Sequence, residues 1–233
     1  MAQYNGYDNG SQGGGFLQGI LGNIPVVTRN IFMINVLMFI ASLINQNFML
    51  ETFSVFYPKS PLFRIWQPVT YLFMHGNFWH IFVNMWCLLM FGSVLERAIG
   101  TKKYLIFYFV TGLGALLIHF LVQYFQAQAL LADASRAAEY YRLLGTPTLG
   151  ASGAIFGIQI GYAMLYPNAL WTLVFPPITL KAKWFVLIFM VIELVTGITG
   201  TMDGIAHFAH LGGALFGFIL IWWWKKQGTL WKR

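Results

Sequence analysis

Long apolar runs separated by short polar segments dominate the chain. Six of them, Thr28 to Asn47, Phe78 to Ile99, Tyr104 to Phe125, Ser152 to Tyr166, Trp184 to Gly200 and Ile205 to Trp224, approach the roughly 20 residues that a helix needs to cross a bilayer. The pattern predicts an all-α membrane protein, a bundle of six transmembrane helices. The fourth run is the odd one, because Pro167 and Asn168 end it after roughly 22 Å of helix, too little to cross alone. Non-helical backbone, "GTPTLGAS" at Gly145 to Ser152, must then reach membrane depth. Such backbone is tolerated only where protein buries it or water fills a cavity.

Between the runs, Met49 to Gly76 carries Pro58, Pro61 and Pro68 with many aromatics, a composition suited to the membrane interface. Gln126 to Thr148 holds "ADASRAAEYYRLL", which predicts a short helix or a helical extension outside the bilayer. No repeat of 20 to 50 residues is visible, so repeat architectures have no support.

Composition agrees with the pattern: 58% of residues are hydrophobic, 9% are charged and the mean hydropathy is +0.65, which no water-exposed shell could accommodate. Ten of the fourteen lysines and arginines fall on one side if both termini are cytoplasmic, against four (Lys59, Arg64, Arg136, Arg142) on the other. The positive-inside rule therefore predicts N-in and C-in. The net charge of +7 is read as this topology signal plus attraction to the lipid bilayer. No basic stripe with interleaved aromatics suggests nucleic acid. Residues 1–27 read as a flexible, Gly-rich cytoplasmic tail without the features of a signal peptide, 28–224 as the membrane domain and 225–233 as a basic cytoplasmic tail. Cys87 is the only cysteine, so neither an intrachain disulfide nor a thiol metal cluster is possible.

Three polar patches lie at or inside lipid depth, where polar groups are costly and usually face the bundle interior. They are Ser152 in "GASG", His75, His80 and Asn84 in "HGNFWHIFVN", and His207 and His210 in "AHFAHLGGALFG". Taken alone, Ser152 is a good helix N-cap. Glycines change that reading. Gly153, Gly157 and Gly161 recur every four residues in the fourth run, and Gly213 and Gly217 continue the stripe of His210 in the sixth. Small-residue stripes let helices approach closely, which would bring Ser152 beside His210 as a nucleophile with its general base.

With these residues in place, the chain from about Trp66 to the end of the sixth run resembles the rhomboid intramembrane serine proteases. The resemblance rests on GxSG at Gly150 to Gly153, on His80 and Asn84, on GxxxExxxG at Gly92, Glu96 and Gly100, and on the AHxxG segment around His210. It implies Ser152 as nucleophile, His210 as general base, His80 and Asn84 as donors beside the oxyanion, and Gly150 in the loop that forms the hole. It further implies cleavage of transmembrane protein substrates near the outer end of a helix, at spans with helix-breaking Gly or Pro and a small residue before the cut, without metal or other cofactor. The expected location is the bacterial cytoplasmic membrane. A Ser–His dyad is expected, because the aspartates are Asp8, Asp133 and Asp203 and even Asp203 lies about 10 Å from His210 along a helix. Gln67, where the family often has Arg, puts loop anchoring in doubt. Phe156, where some members have Tyr, keeps a stacking face for the imidazole.

Other polar residues have plainer readings. His119 reads as a core histidine bonded to a neighbouring helix, His207 as bonding the wet outer loop, Glu193 as a neutral, hydrogen-bonded acid, and Glu96 with Arg97 as an anchor of the second span. Two rival functions stand beside the protease. One is a catalytically inactive rhomboid-like adaptor binding client helices, which would have no reason to keep both Ser152 and His210. The other is a metal site or transporter built from His75, His80, His207 and His210, which lacks a suitably spaced carboxylate or cysteine partner in the same spans.

Overall fold

The structure, a computed structural model, describes residues 22–172, 177–199 and 204–231; most of the N-terminal tail, Asp203 and the last two residues lie outside them. Among the described residues five helices are long and apolar enough to cross a membrane, and a sixth, shorter one spans Ser152–Leu165. The first span is α1 (Val26–Ile44), followed by α2 (Gln46–Phe53) and the one-turn α3 (Gln67–Thr70). The second is a continuous column of α4 (Phe78–Cys87), a π turn (Leu88–Gly92) and α5 (Ser93–Ile99). The third is α6 (Thr101–Leu131), with α7 (Ala137–Gly145) beyond it. The fourth is α8 (Ser152–Leu165). A two-stranded antiparallel ribbon of β1 (Leu170–Thr172) and β2 (Thr179–Lys181) leads to α9 (Ala182–Thr199) and α10 (Gly204–Lys226).

Large apolar side chains such as Leu37, Leu43, Leu117, Trp184 and Ile198 point outward along the long helices. A soluble protein would not present such a belt, and lipid is its natural partner. Inside, Tyr104, Phe107 and Tyr108 of α6 are fully buried, and α6 packs against both α8 and α10. Contact between α8 and α10 is backbone to backbone: a Cβ on Gly213 would sit 1.9 Å from the Gly153 carbonyl oxygen, and one on Gly217 2.8 Å from that of Gly157. The opposed glycine stripes thus face each other.

Helix α6 runs to Leu131, beyond the predicted end at Phe125. Its 31 residues extend roughly 46 Å, longer than the hydrocarbon core, because Gln, Ala and Leu after Phe125 are good helix formers in water. The protruding end is covered by α7, with Tyr57, Ala127, Leu130 and Leu143 forming a small satellite core.

Two anchors hold the scaffold. The buried Glu96 carboxylate accepts the Val27 and Thr28 amides at 3.0 and 2.7 Å and the Thr28 hydroxyl at 2.8 Å, which caps the α1 N-terminus. Glu96 therefore ties α1 to the second span, more than marking the end of that span. Arg97 donates to the Asn23 carbonyl. Gln67, fully buried, donates to the carbonyls of Glu51 and Leu62 at 3.0 and 3.1 Å and accepts the Arg64 amide at 3.0 Å. The doubt over loop anchoring at Gln67 is thereby removed, since a neutral amide supplies both donor and acceptor.

Candidate active site

The lead-in to α8 is pinned at three points. Thr148 pairs with Val55 through two backbone hydrogen bonds of 2.8 and 2.9 Å, its hydroxyl lies 2.7 Å from His119 Nε2, and the Gly150 amide donates to the Tyr71 carbonyl at 3.0 Å. His119 thus bonds the lead-in segment, whereas a neighbouring helix was the expected partner. Buried irregular backbone is satisfied in this way. Gly150 has φ +129°, and a Cβ there would lie 2.9 Å from His80 Nε2, so both conformation and space call for glycine. Its amide is committed to Tyr71. Gly150 therefore shapes the loop through its backbone conformation, its amide already paired.

Ser152 is the first residue of α8, where the leading amides have no partner within the helix. Its Oγ lies 2.8 Å from His210 Nε2, the distance at which an imidazole can take a hydroxyl proton. Phe156, one turn on, stacks on the His210 ring with centroids 4.5 Å apart and planes 9° from parallel. On the other side, the Asn84 amide donates to the His80 carbonyl at 2.8 Å, which leaves it a second N–H. His80 and His75 meet edge to face with ring centroids 4.9 Å apart. Burial pushes the pKa of His75, just outside the second span, down to about 3, so it faces His80 uncharged at neutral pH.

The expectation of no third group at His210 is corrected by α9. Glu193 Oε2 lies 2.9 Å from His210 Nδ1 and 2.6 Å from His207 Nδ1. His207 also lies 3.2 Å from the Thr196 hydroxyl, so it bonds α9, projecting from the same face of α10 as His210; the outer loop at 200–203, its expected partner, lies outside the described residues. A search confined to aspartates overlooks Glu193. The cue was available, since a carboxylate in an apolar span needs donors and two histidines stand on the next helix.

Glu193 also supplies the carboxylate missing from the metal reading, since its donor atom and those of His207 and His210 lie within 4.8 Å of one another. His75 and His80 pair separately. Within the trio, both imidazole Nδ1 atoms already meet the carboxylate, so a cation there would displace the bonds that orient them.

Ser152, His80, Asn84, His210 and Glu193 all open onto one cleft of about 750 Å³, walled mainly by Trp79, Val83, Trp86, Phe156, Trp171 and Phe189. An apolar cleft with a few convergent polar groups is the usual form of a binding site. This one lies between the second span and α9, with the β-ribbon at one end.

The family model for the rhomboid domain matches residues 62–227. Among curated relatives, the Rhomboid protease AarA of Providencia stuartii is 29% identical over 163 residues, 66% of this chain and 54% of its own length. RHOMBOID-like protein 12, mitochondrial, of Arabidopsis thaliana is 30% identical over 178 residues, 73% of this chain and 49% of its own. Rhomboid protein 1, mitochondrial, of Saccharomyces cerevisiae is 29% identical over 154 residues, 66% and 40% respectively. The chain spans about half the length of the curated relatives it matches. With a domain match that takes in all four motifs and five of the six apolar helices, the chain belongs to the rhomboid family of membrane proteins.

Proposed function

We propose that the chain is an intramembrane serine endopeptidase that cuts transmembrane protein substrates near the outer end of a helix, through an acyl-enzyme on Ser152. The observation that carries this reading is the 2.8 Å contact between Ser152 Oγ and His210 Nε2 at the mouth of an apolar cleft. As Oγ attacks the scissile carbonyl carbon, its proton passes to Nε2. The oxyanion is held by the Ser152 amide at the α8 N-terminus, with His80 and Asn84 as side-chain donors. Collapse breaks the C–N bond, and Nε2 returns the proton to the leaving amine. Water then attacks the ester with His210 again as base, releasing the new carboxyl terminus and free Ser152.

A helix cannot present its backbone to Ser152 while its carbonyls are bonded within the helix, so spans with Gly or Pro near the cut are the expected substrates. The bias of Lys and Arg puts both termini in the cytoplasm and the site toward the outer face. In intact cells an impermeant maleimide should reach a cysteine at position 136 and miss one at 181, both in a Cys87→Ala background; the reverse would invert the orientation.

A serine-directed fluorophosphonate probe tests the chemistry. It should label the wild-type protein at Ser152, and Ser152→Ala should take up none. A folded wild-type protein that stays unlabelled would favour the inactive adaptor.

A further inference from the structure

We propose that Glu193 is a positioning residue of this site: its carboxylate holds His210 in the tautomer that can accept the Ser152 proton, and balances the imidazolium that then forms. The inference rests on the protease reading and adds a third group on a different helix.

A neutral imidazole carries one N–H. If that hydrogen sat on Nε2, His210 would donate to Ser152 and could not take its proton. An ionised carboxylate only accepts, so Glu193 Oε2 at 2.9 Å from Nδ1 draws the hydrogen to Nδ1 and leaves the Nε2 lone pair toward Oγ at 2.8 Å. The ring is also fixed in plane by Phe156. Orientation and tautomer are thus set from opposite sides, by α8 and α9.

His207 braces the carboxylate. Its Nδ1 meets the same oxygen at 2.6 Å, and that oxygen has lone pairs enough for two donors. Packing gives no other reason for the acid, since α9 buries only Ala182 and Val186 and the residues on either side of Glu193, Ile192 and Leu194, are apolar. A carboxylate at such a position is costly unless it is bonded, and its bonds go to the proposed base and the histidine one turn before it.

Among the described residues, the titratable groups facing His210 are Glu193 from α9, His207 on its own helix and His80 from α4. From α8 come the Ser152 hydroxyl and the Phe156 ring, and the one histidine of α6, His119, is bonded to Thr148. Glu193 is the one acid among them, so its removal leaves the imidazolium beside two other histidines.

The test is steady-state cleavage of a transmembrane substrate by purified full-length protein, wild type against Glu193→Gln and Glu193→Ala, with kcat, KM, melting temperature and the kcat–pH profile measured for each. Glu193→Gln keeps the shape and removes the charge. It should lower kcat by about 10²- to 10⁴-fold with KM within about threefold, and move the acid limb of the profile to lower pH because the imidazolium loses its counter-charge. Glu193→Ala should do the same. Wild-type kcat in Glu193→Gln, or a loss with an unmoved acid limb and a fall in melting temperature, would make the acid a structural partner of His207 and overturn the proposal. Failure of the wild type to take a fluorophosphonate at Ser152 would instead remove the protease reading, and this inference with it.

Discussion

His207 and His210 stand one turn apart on α10 and meet the same oxygen of Glu193, yet it is His210 whose far nitrogen reaches Ser152. The two should therefore separate cleanly on mutation. His210→Ala removes the base and should abolish measurable turnover, whereas His207→Ala removes a brace and should cost about tenfold or less. Both should remain folded in a thermal-shift assay. Equal and complete loss in both, or turnover by His210→Ala, would overturn the assignment of the base. The serine and this histidine were legible in the sequence because each is a polar group set in a stripe of small residues on an apolar helix. Glu193 was legible only as an acid in need of a partner. Its partners lie 14 and 17 residues away on another helix, and no spacing within one helix reveals a bond between two. Gln67 was hidden for a related reason: its three bonds go to backbone groups of a folded loop, which leave no mark on side-chain pattern.

At the level of elements, the contact between α8 and α10 carries the geometry, because Ser152 and His210 belong to different helices. A Cβ on Gly213 would fall 1.9 Å from the Gly153 carbonyl oxygen, and backbone cannot swing away as a flexible side chain can. Gly213→Ala should thus force the helices apart, costing about 1 to 3 kcal/mol, or about 2 to 12 °C in melting temperature for a chain of this size. It should also lengthen the Ser152–His210 contact and lower turnover. Gly145→Ala is the control, since nothing lies within 4 Å of a Cβ there. Thermal unfolding in detergent, paired with a cleavage assay, reads both effects; a Gly213→Ala protein as stable and active as wild type would refute close backbone contact. The glycine stripes, the six apolar runs and the short fourth helix could all be read from periodicity and length. The π turn at Leu88–Gly92 could not, because one extra residue in a helical turn changes hydrogen-bond register while leaving an apolar stretch apolar. The extension of α6 was half legible: helix-forming Gln and Ala residues after Phe125 pointed to helix outside the bilayer, but not to where it joins the span.

Across the whole molecule, the arrangement resolves a conflict between chemistry and solvent. The proposed hydrolysis needs water and charge, while the belt of exposed Leu, Ile and Trp side chains requires lipid. The short α8 reconciles them, because it begins partway into the bundle where folded loop replaces helix, and its first residue, Ser152, opens onto the cleft. The polar groups are gathered at that mouth, and below it the glycine stripes meet backbone to backbone. The most direct measurement is cleavage in liposomes containing purified wild-type or Ser152→Ala protein and a single-span substrate with Gly and Pro near the outer end of its helix. The wild type should release two fragments whose new ends map to that segment, and Ser152→Ala should release none. Equal cleavage by Ser152→Ala, or none by a wild-type protein offered such substrates, would contradict the account.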